Sequence, residues 1–331
     1  MSDLLSKMTD LDELKRLLSA REAGASTDLP PEEIAAALKA RVKGQDHVID
    51  DLAKFVSERF AVLERDRPIA SIVLLGPTGT GKTELAKALT EFLYDKEDNM
   101  IRIDGADCTD QSCKASLIGS DGVWKGATPG RLTQPVINNP RRVILFDEIE
   151  KAWPGIYDLF LTMMGEGRLT DQNTGRVANY TQSIIILTSN IEHEAIGRIQ
   201  EQIDDPDEMN NAVKNHLRDV KAFRAEIVGR FDRVYVFKPL EGLVLAEIAV
   251  LKMQKVAKKG HGLELTQVHP SLILAALERS EKIKDFGVRE LDRIVEEIMS
   301  EPCRAARRSG IHRIALDVDP ATGELVVNQV E

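Results

Sequence analysis

Gly76-Pro77-Thr78-Gly79-Thr80-Gly81-Lys82-Thr83 is the stretch that decides how this chain is read. Its three glycines let the backbone turn so that several N–H groups face one anion. A helix beginning near Lys82 adds the positive end of its dipole. Lys82 supplies a cation for β- and γ-phosphates, and the Thr83 hydroxyl is a natural Mg²⁺ ligand. The run Ile69-Ala70-Ser71-Ile72-Val73-Leu74-Leu75 just before it reads as a buried strand. Strand, glycine loop, helix is the context that turns the motif into a phosphate-binding loop.

Two more strands end in chemistry. Val143-Ile144-Leu145-Phe146 empties into Asp147-Glu148, which predicts one carboxylate for Mg²⁺ (Asp147) and one for activating water (Glu148). Ser183-Ile184-Ile185-Ile186-Leu187 runs into Thr188-Ser189-Asn190. In a parallel sheet that end would lie beside the two acids. Asn190 then reads either as a strand-terminating turn residue or as a hydrogen-bond partner of the γ-phosphate or attacking water. Arg230, just before a strand, and Arg289, at a helix start, read by themselves as ordinary salt-bridge arginines.

Helices and short apolar strands alternate through Met100–Ile103, Val143–Phe146, Ser183–Leu187 and Val234–Phe237. That alternation predicts an α/β fold, a parallel sheet flanked by helices. Further helices are expected over 32–41 and over 46–64, the latter capped by Asp46. From 240 to 331 the pattern becomes a small α+β domain, with helices near 242–258, 270–279 and 288–308 and strands at Arg313–Val318 and Glu324–Val330. The expected division is therefore 1–31, 32–239 and 240–331. Leu4, Leu5, Met8, Leu11, Leu14, Leu17 and Leu18 have helical spacing. That first helix packs on its own domain or docks a partner, and residues 21–31 read as a linker.

The 331 residues carry 44 Lys+Arg against 54 Asp+Glu, a net charge of −10. An acidic total argues against a broad nucleic-acid surface, although a local basic channel can hide beneath it. No apolar run reaches the roughly 18–20 residues of a membrane span. The start of the chain does not read as a secretory signal. Cys108, Cys113 and Cys303 lack zinc-ligand spacing and read as free thiols of a reducing cytoplasm.

Three blocks together resemble the second ATPase module of the Clp-type AAA+ unfoldases and disaggregases, the ClpA/ClpB branch. They are Gly76–Lys87, Val143–Asp171 and Phe223–Leu240, and Lys43-Gly44-Gln45-Asp46 resembles that family's entry motif near the adenine pocket. The resemblance implies an AAA+ P-loop NTPase fold with a small α+β lid domain and ATP hydrolysis with Mg²⁺. It also implies a sensor role for Asn190, a nucleotide-touching second sensor at Arg289, and an arginine finger at Arg230 reaching a neighbouring subunit's γ-phosphate. A ring of like subunits, usually six, is implied, as is a protein substrate gripped by pore loops.

Departures from the family qualify the last point. The family's Gly-Tyr-Val-Gly pore loop is here Gly122-Val123-Trp124-Lys125-Gly126, with the aromatic moved one place. Trp124, with Val123, is expected either to contact the substrate chain or to serve packing. Ile196-Gly197-Arg198 is the nearest match to the loop that docks a ClpP-like peptidase. It has a charge where an apolar group must enter a pocket, and its surroundings read as helix, so such docking is not expected. The expected function is a cytoplasmic ring motor that remodels proteins. The alternative is an ATP-dependent assembly switch that binds a partner without threading it.

Overall fold

A computed structural model describes residues 29–120, 127–279, 289–319 and 325–330. The leucine-rich stretch 4–18 and the pore-loop residues Val123 and Trp124 lie outside them. The strands are β1 (Ala70–Leu75), β2 (Met100–Asp104), β3 (Val143–Asp147), β4 (Arg168–Thr170), β5 (Val177–Asn179), β6 (Ile184–Ser189) and β7 (Arg233–Val236). Five of them form one parallel sheet in the order β2-β3-β6-β1-β7, while β4 and β5 pair as an antiparallel hairpin.

Every residue of β1 and β6 is buried, because both faces of these central strands are covered and an apolar run is needed on each. The side-chain period of two divides β1 between two cores. Ile72 and Leu74 pack with helices α1 (Pro31–Arg41), α2 (Asp46–Phe60) and α3 (Lys82–Tyr94). Val73 and Leu75 pack on the other face, toward α4 (Ser112–Ile118), α5 (Thr133–Asn138), α6 (Tyr157–Glu166), α7 (His193–Gln200), α8 (Pro206–Asp219) and α9 (Ala225–Val228). In α2 the stripe Val48, Ile49, Leu52, Ala53 and Val56 is buried, the helical repeat of a one-sided helix. Each buried Val, Ile or Leu side chain there stabilises the fold by about 1.5–3 kcal/mol.

Asp46 is not the cap of α2 but its first residue. Gln45 stands at the cap position and makes no side-chain cap bond, because its amide is committed to Lys238.

Beyond β7 the chain forms α10 (Gly242–Lys255), a π turn at Val256–Gly260, β8 (Glu264–Val268), α11 (Pro270–Arg279), α12 (Arg289–Arg308), β9 (Arg313–Val318) and β10 (Leu325–Gln329). The three strands form a sheet in the order β10-β9-β8. Their core draws on Ala249, Met253, Leu291, Val295, Met299 and Ile314, separate from the two cores of the larger sheet. Strand β8 and the β4–β5 hairpin were not anticipated. β8 is a short edge strand whose polar, half-exposed sequence carries little apolar signal.

The cysteine expectation is corrected. Cys108 and Cys113 form a disulfide, and only Cys303 is free, buried in the C-terminal core. The turn after β2 and the start of α4 bring the two α-carbons within 5.0 Å, inside the range a disulfide spans. The thiols therefore no longer argue for a reducing compartment. Among the described residues no helix is long and apolar enough to cross a membrane.

Candidate active site

The phosphate loop follows β1 directly and α3 opens at Lys82. Gly76, Gly79 and Gly81 take φ values of +135°, +78° and +102°, which side chains with a Cβ rarely adopt. At Gly76 a Cβ would also sit 2.6 Å from the Phe237 carbonyl oxygen. The Lys82 ammonium is nearly buried and donates to the carbonyls of Gly76 (2.6 Å) and Pro77 (2.7 Å). Thr80 closes the loop by donating to the Pro77 carbonyl at 2.9 Å.

Strand order brings the remaining groups to the same sheet end. β6 lies between β3 and β1, so its C-terminus separates the two acids from the phosphate loop. Asp147 is 4% exposed and is held by three donors. Thr83 Oγ1 lies 3.2 Å from both carboxylate oxygens, Thr188 Oγ1 donates to Oδ1 at 2.5 Å, and the Arg102 guanidinium donates to Oδ2 at 2.7 Å. Burying a carboxylate is costly without such hydrogen-bond partners.

Glu148 has a left-handed backbone, φ +52°, a conformation costing about 1–3 kcal/mol outside glycine. Its N–H donates to Thr188 Oγ1 at 3.0 Å. Gly105 packs against its carbonyl so closely that a Cβ there would lie 2.2 Å from that oxygen. Its carboxylate accepts from Lys151 at 2.7 Å, and that bond holds the Lys151 ammonium above its usual range. Asn190 Nδ2 reaches Thr78 Oγ1 at 3.4 Å.

These groups line a cleft of about 410 Å³ between the sheet end and helices α10 and α12. Val42, Leu240, Ile248 and Leu251 add apolar side chains to its lining. Cationic side chains (Arg41, Lys43, Lys82, Lys87, Arg102, Lys252, Lys255) outnumber the anionic Glu84, Asp147, Glu148 and Asp292. A basic cleft thus lies inside an acidic protein. The donor set fits Mg²⁺: Asp147 and Thr83 offer hard oxygens at one point. Among the described residues no cluster of three or more His, Cys, Asp or Glu competes for a metal. Mg²⁺ ordinarily takes one or two protein ligands and completes its shell with phosphates and water.

Residues 67–234 match the family described as AAA domain (Cdc48 subfamily). The chain belongs to the Clp-type AAA+ ATPases. It is 34% identical over 278 residues to "Chaperone protein ClpB" of Rhodopirellula baltica, covering 81% of this chain and 30% of that protein. It is 34% identical over 303 residues to "Negative regulator of genetic competence ClpC/MecB" of Bacillus subtilis, covering 88% and 37%. "Chaperone protein ClpB" of Clostridium tetani is 36% identical over 266 residues, covering 79% and 30%. The chain spans about a third of the length of these relatives.

In this AAA+ ATPase Arg230 stands apart from the cleft's acids. Arg230 is exposed, is not among the cleft-lining side chains, and lies against Gly165 of α6, where a Cβ would meet its Cζ at 3.1 Å. Arg289 opens α12 three residues before Asp292, which lines the cleft. Ile196, within α7, is fully buried in the core. Sequence reasoning missed Arg102 and Thr188, both in contact with Asp147. A charged residue inside the strand Met100-Ile101-Arg102-Ile103 was the one available signal for the first; Thr188 was quoted only as part of a polar strand end.

Proposed function

We propose that this ATPase is a subunit of a ring, usually of six, that uses ATP hydrolysis to remodel or unfold protein chains. Lys82 and the loop amides from Gly76 to Thr83 bind the phosphates. Thr83 and Asp147 hold Mg²⁺, Glu148 activates water, and Asn190 contacts the γ-phosphate or that water. Arg289 senses nucleotide from the C-terminal domain, 240–331, and Arg230 completes the site of the neighbouring subunit.

The observation that carries this reading is the exposure of Arg230 outside a cleft that gathers the other hydrolytic groups. A finger of this kind is worth about 10³–10⁵ in rate, so an isolated subunit would hydrolyse slowly. Protein remodelling is supported by the relatives named chaperones and by α4, whose end is separated by Gly119 and Ser120 from the segment 121–126 carrying Trp124.

Complementation tests the shared site. Arg230→Ala and Lys82→Ala subunits are each expected to be inactive alone. Mixed, they form interfaces in which an intact loop meets an intact Arg230, and ATPase activity returns. A mixture no more active than its parts argues against a finger acting between subunits. Trp124→Ala then separates the two uses of ATP: threading predicts lost unfolding of a tagged substrate with hydrolysis retained, whereas an assembly switch predicts little change.

A further inference from the structure

We propose that Thr188 is a positioning residue whose single hydroxyl sets the geometry of both acids at once. The proposal rests on reading Asp147 as the metal ligand and Glu148 as the base. Thr188 lies on β6 between β3 and β1, paired across the sheet with Leu74, and is fully buried. Its Oγ1 accepts the Glu148 N–H at 3.0 Å and donates to Asp147 Oδ1 at 2.5 Å.

These two bonds are coupled by the chemistry of one hydroxyl. Accepting from a backbone amide fixes a lone pair toward Glu148, which leaves the single proton to point at Asp147. The carboxylate is thereby turned so that Oδ2 faces Arg102 and both oxygens face Thr83. The amide bond, for its part, supports the left-handed backbone at Glu148, and that backbone sets where its carboxylate points. Asp147 and Glu148 are adjacent in sequence but need different orientations. One side chain from the neighbouring strand supplies the reference for each.

A hydroxyl that only filled space would be replaceable by a methyl. Thr188→Val keeps the shape and removes both bonds; Thr188→Ser keeps both bonds and removes the methyl. In a Glu148→Gln background, where hydrolysis is stopped, binding of a fluorescent ATP analogue is titrated with Mg²⁺. Thr188→Val is expected to raise the Mg²⁺ midpoint about 10–100-fold, the usual effect of losing a partner behind a metal ligand, with metal-free nucleotide affinity within about threefold of the parent. In the otherwise unaltered chain it lowers kcat by a similar factor, and Thr188→Ser stays close to the parent in both assays.

Superimposable Mg²⁺ titrations and a parental kcat for Thr188→Val would overturn the proposal. Should the valine variant lose its cooperative thermal transition, Thr188→Ser and Thr188→Ala repeat the comparison across one hydroxyl, and equal midpoints there overturn it as well. The underlying reading fails separately: Glu148→Gln hydrolysing at the parental rate removes the assignment of the base, whatever Thr188 does.

Discussion

Gln45 holds the backbone of Lys238 from both sides: its Oε1 accepts the Lys238 N–H at 3.0 Å, and its Nε2 donates to the Lys238 carbonyl at 2.8 Å. The same Nε2 lies 3.4 Å from the Thr80 carbonyl in the phosphate loop. One fully buried amide therefore ties the nucleotide loop to the segment between β7 and α10. Replacing it with Gln45→Met would keep the volume and deprive both part-buried backbone groups of Lys238 of that partner. The expected loss is about 2–4 kcal/mol in denaturant unfolding, with weakened nucleotide binding because loop and α10 are no longer held in register. Parental stability would show that water or a neighbour takes over both bonds.

Glu148→Gln tests the hydrolytic assignment directly. The amide has nearly the shape of the carboxylate but cannot take a proton from water. Nucleotide should bind at near-parental affinity while single-turnover hydrolysis falls by about 10²–10⁴-fold, and sedimentation should find the ATP-bound assembly accumulating. Lys151 loses its ionic partner in this variant, so Lys151→Met in parallel separates loss of the base from loss of the pair. A rate unchanged in Glu148→Gln would remove the residue from the chemistry.

How much of this was legible beforehand depended on how far apart the participants lie in sequence. Gly76 to Thr83 carry their own evidence, because loop, glycines, lysine and helix start are contiguous and each is needed by one local geometry. Asp147 and Asn190 were legible as polar residues at the ends of apolar runs. Arg102 and Thr188 were not, since their roles depend on β2, β3 and β6 being neighbours, and no local pattern records sheet order. The Cys108–Cys113 bond depends likewise on how the chain turns between β2 and α4. Edge elements such as β8 escaped because exposure lets them be polar.

Arg102 holds the carboxylate proposed to take Mg²⁺, and that predicts a measurable competition. The guanidinium donates to Asp147 at 2.7 Å and lies 3.8 Å from Asp104, two residues along its own strand. A dication on Asp147 would repel it, and Asp104 offers it a second partner. Half-exposed, the arginine contributes about 1 kcal/mol to the pair, so Arg102→Ala should lower the Mg²⁺ midpoint for nucleotide binding about fivefold. An unchanged or higher midpoint in a Mg²⁺ titration would mean that Arg102 supports the metal rather than displaces it.

Asp171 organises the return from the 121–126 segment, and its ionisation makes that organisation sensitive to acid. Fully buried, it accepts from the Gly130 N–H at 2.8 Å, Thr133 Oγ1 at 2.5 Å and both the N–H and hydroxyl of Thr174 at 2.9 Å. Burial alone would push its carboxyl up, but the bonds from Thr133, Gly130 and Thr174 outweigh it and hold the group below the usual carboxylate range. A carboxyl with a depressed folded pKa adds stability above its unfolded value, near pH 3.9, and that stability is lost as pH falls through the folded value. Asp171→Asn should therefore cost about 1–3 kcal/mol at neutral pH and flatten the decline in stability below pH 4. These bonds join the start of α5 to the turn of the β4–β5 hairpin. Unfolding curves for parent and variant that stay parallel from pH 7 to pH 3 would show that the carboxylate charge is not what holds this corner together.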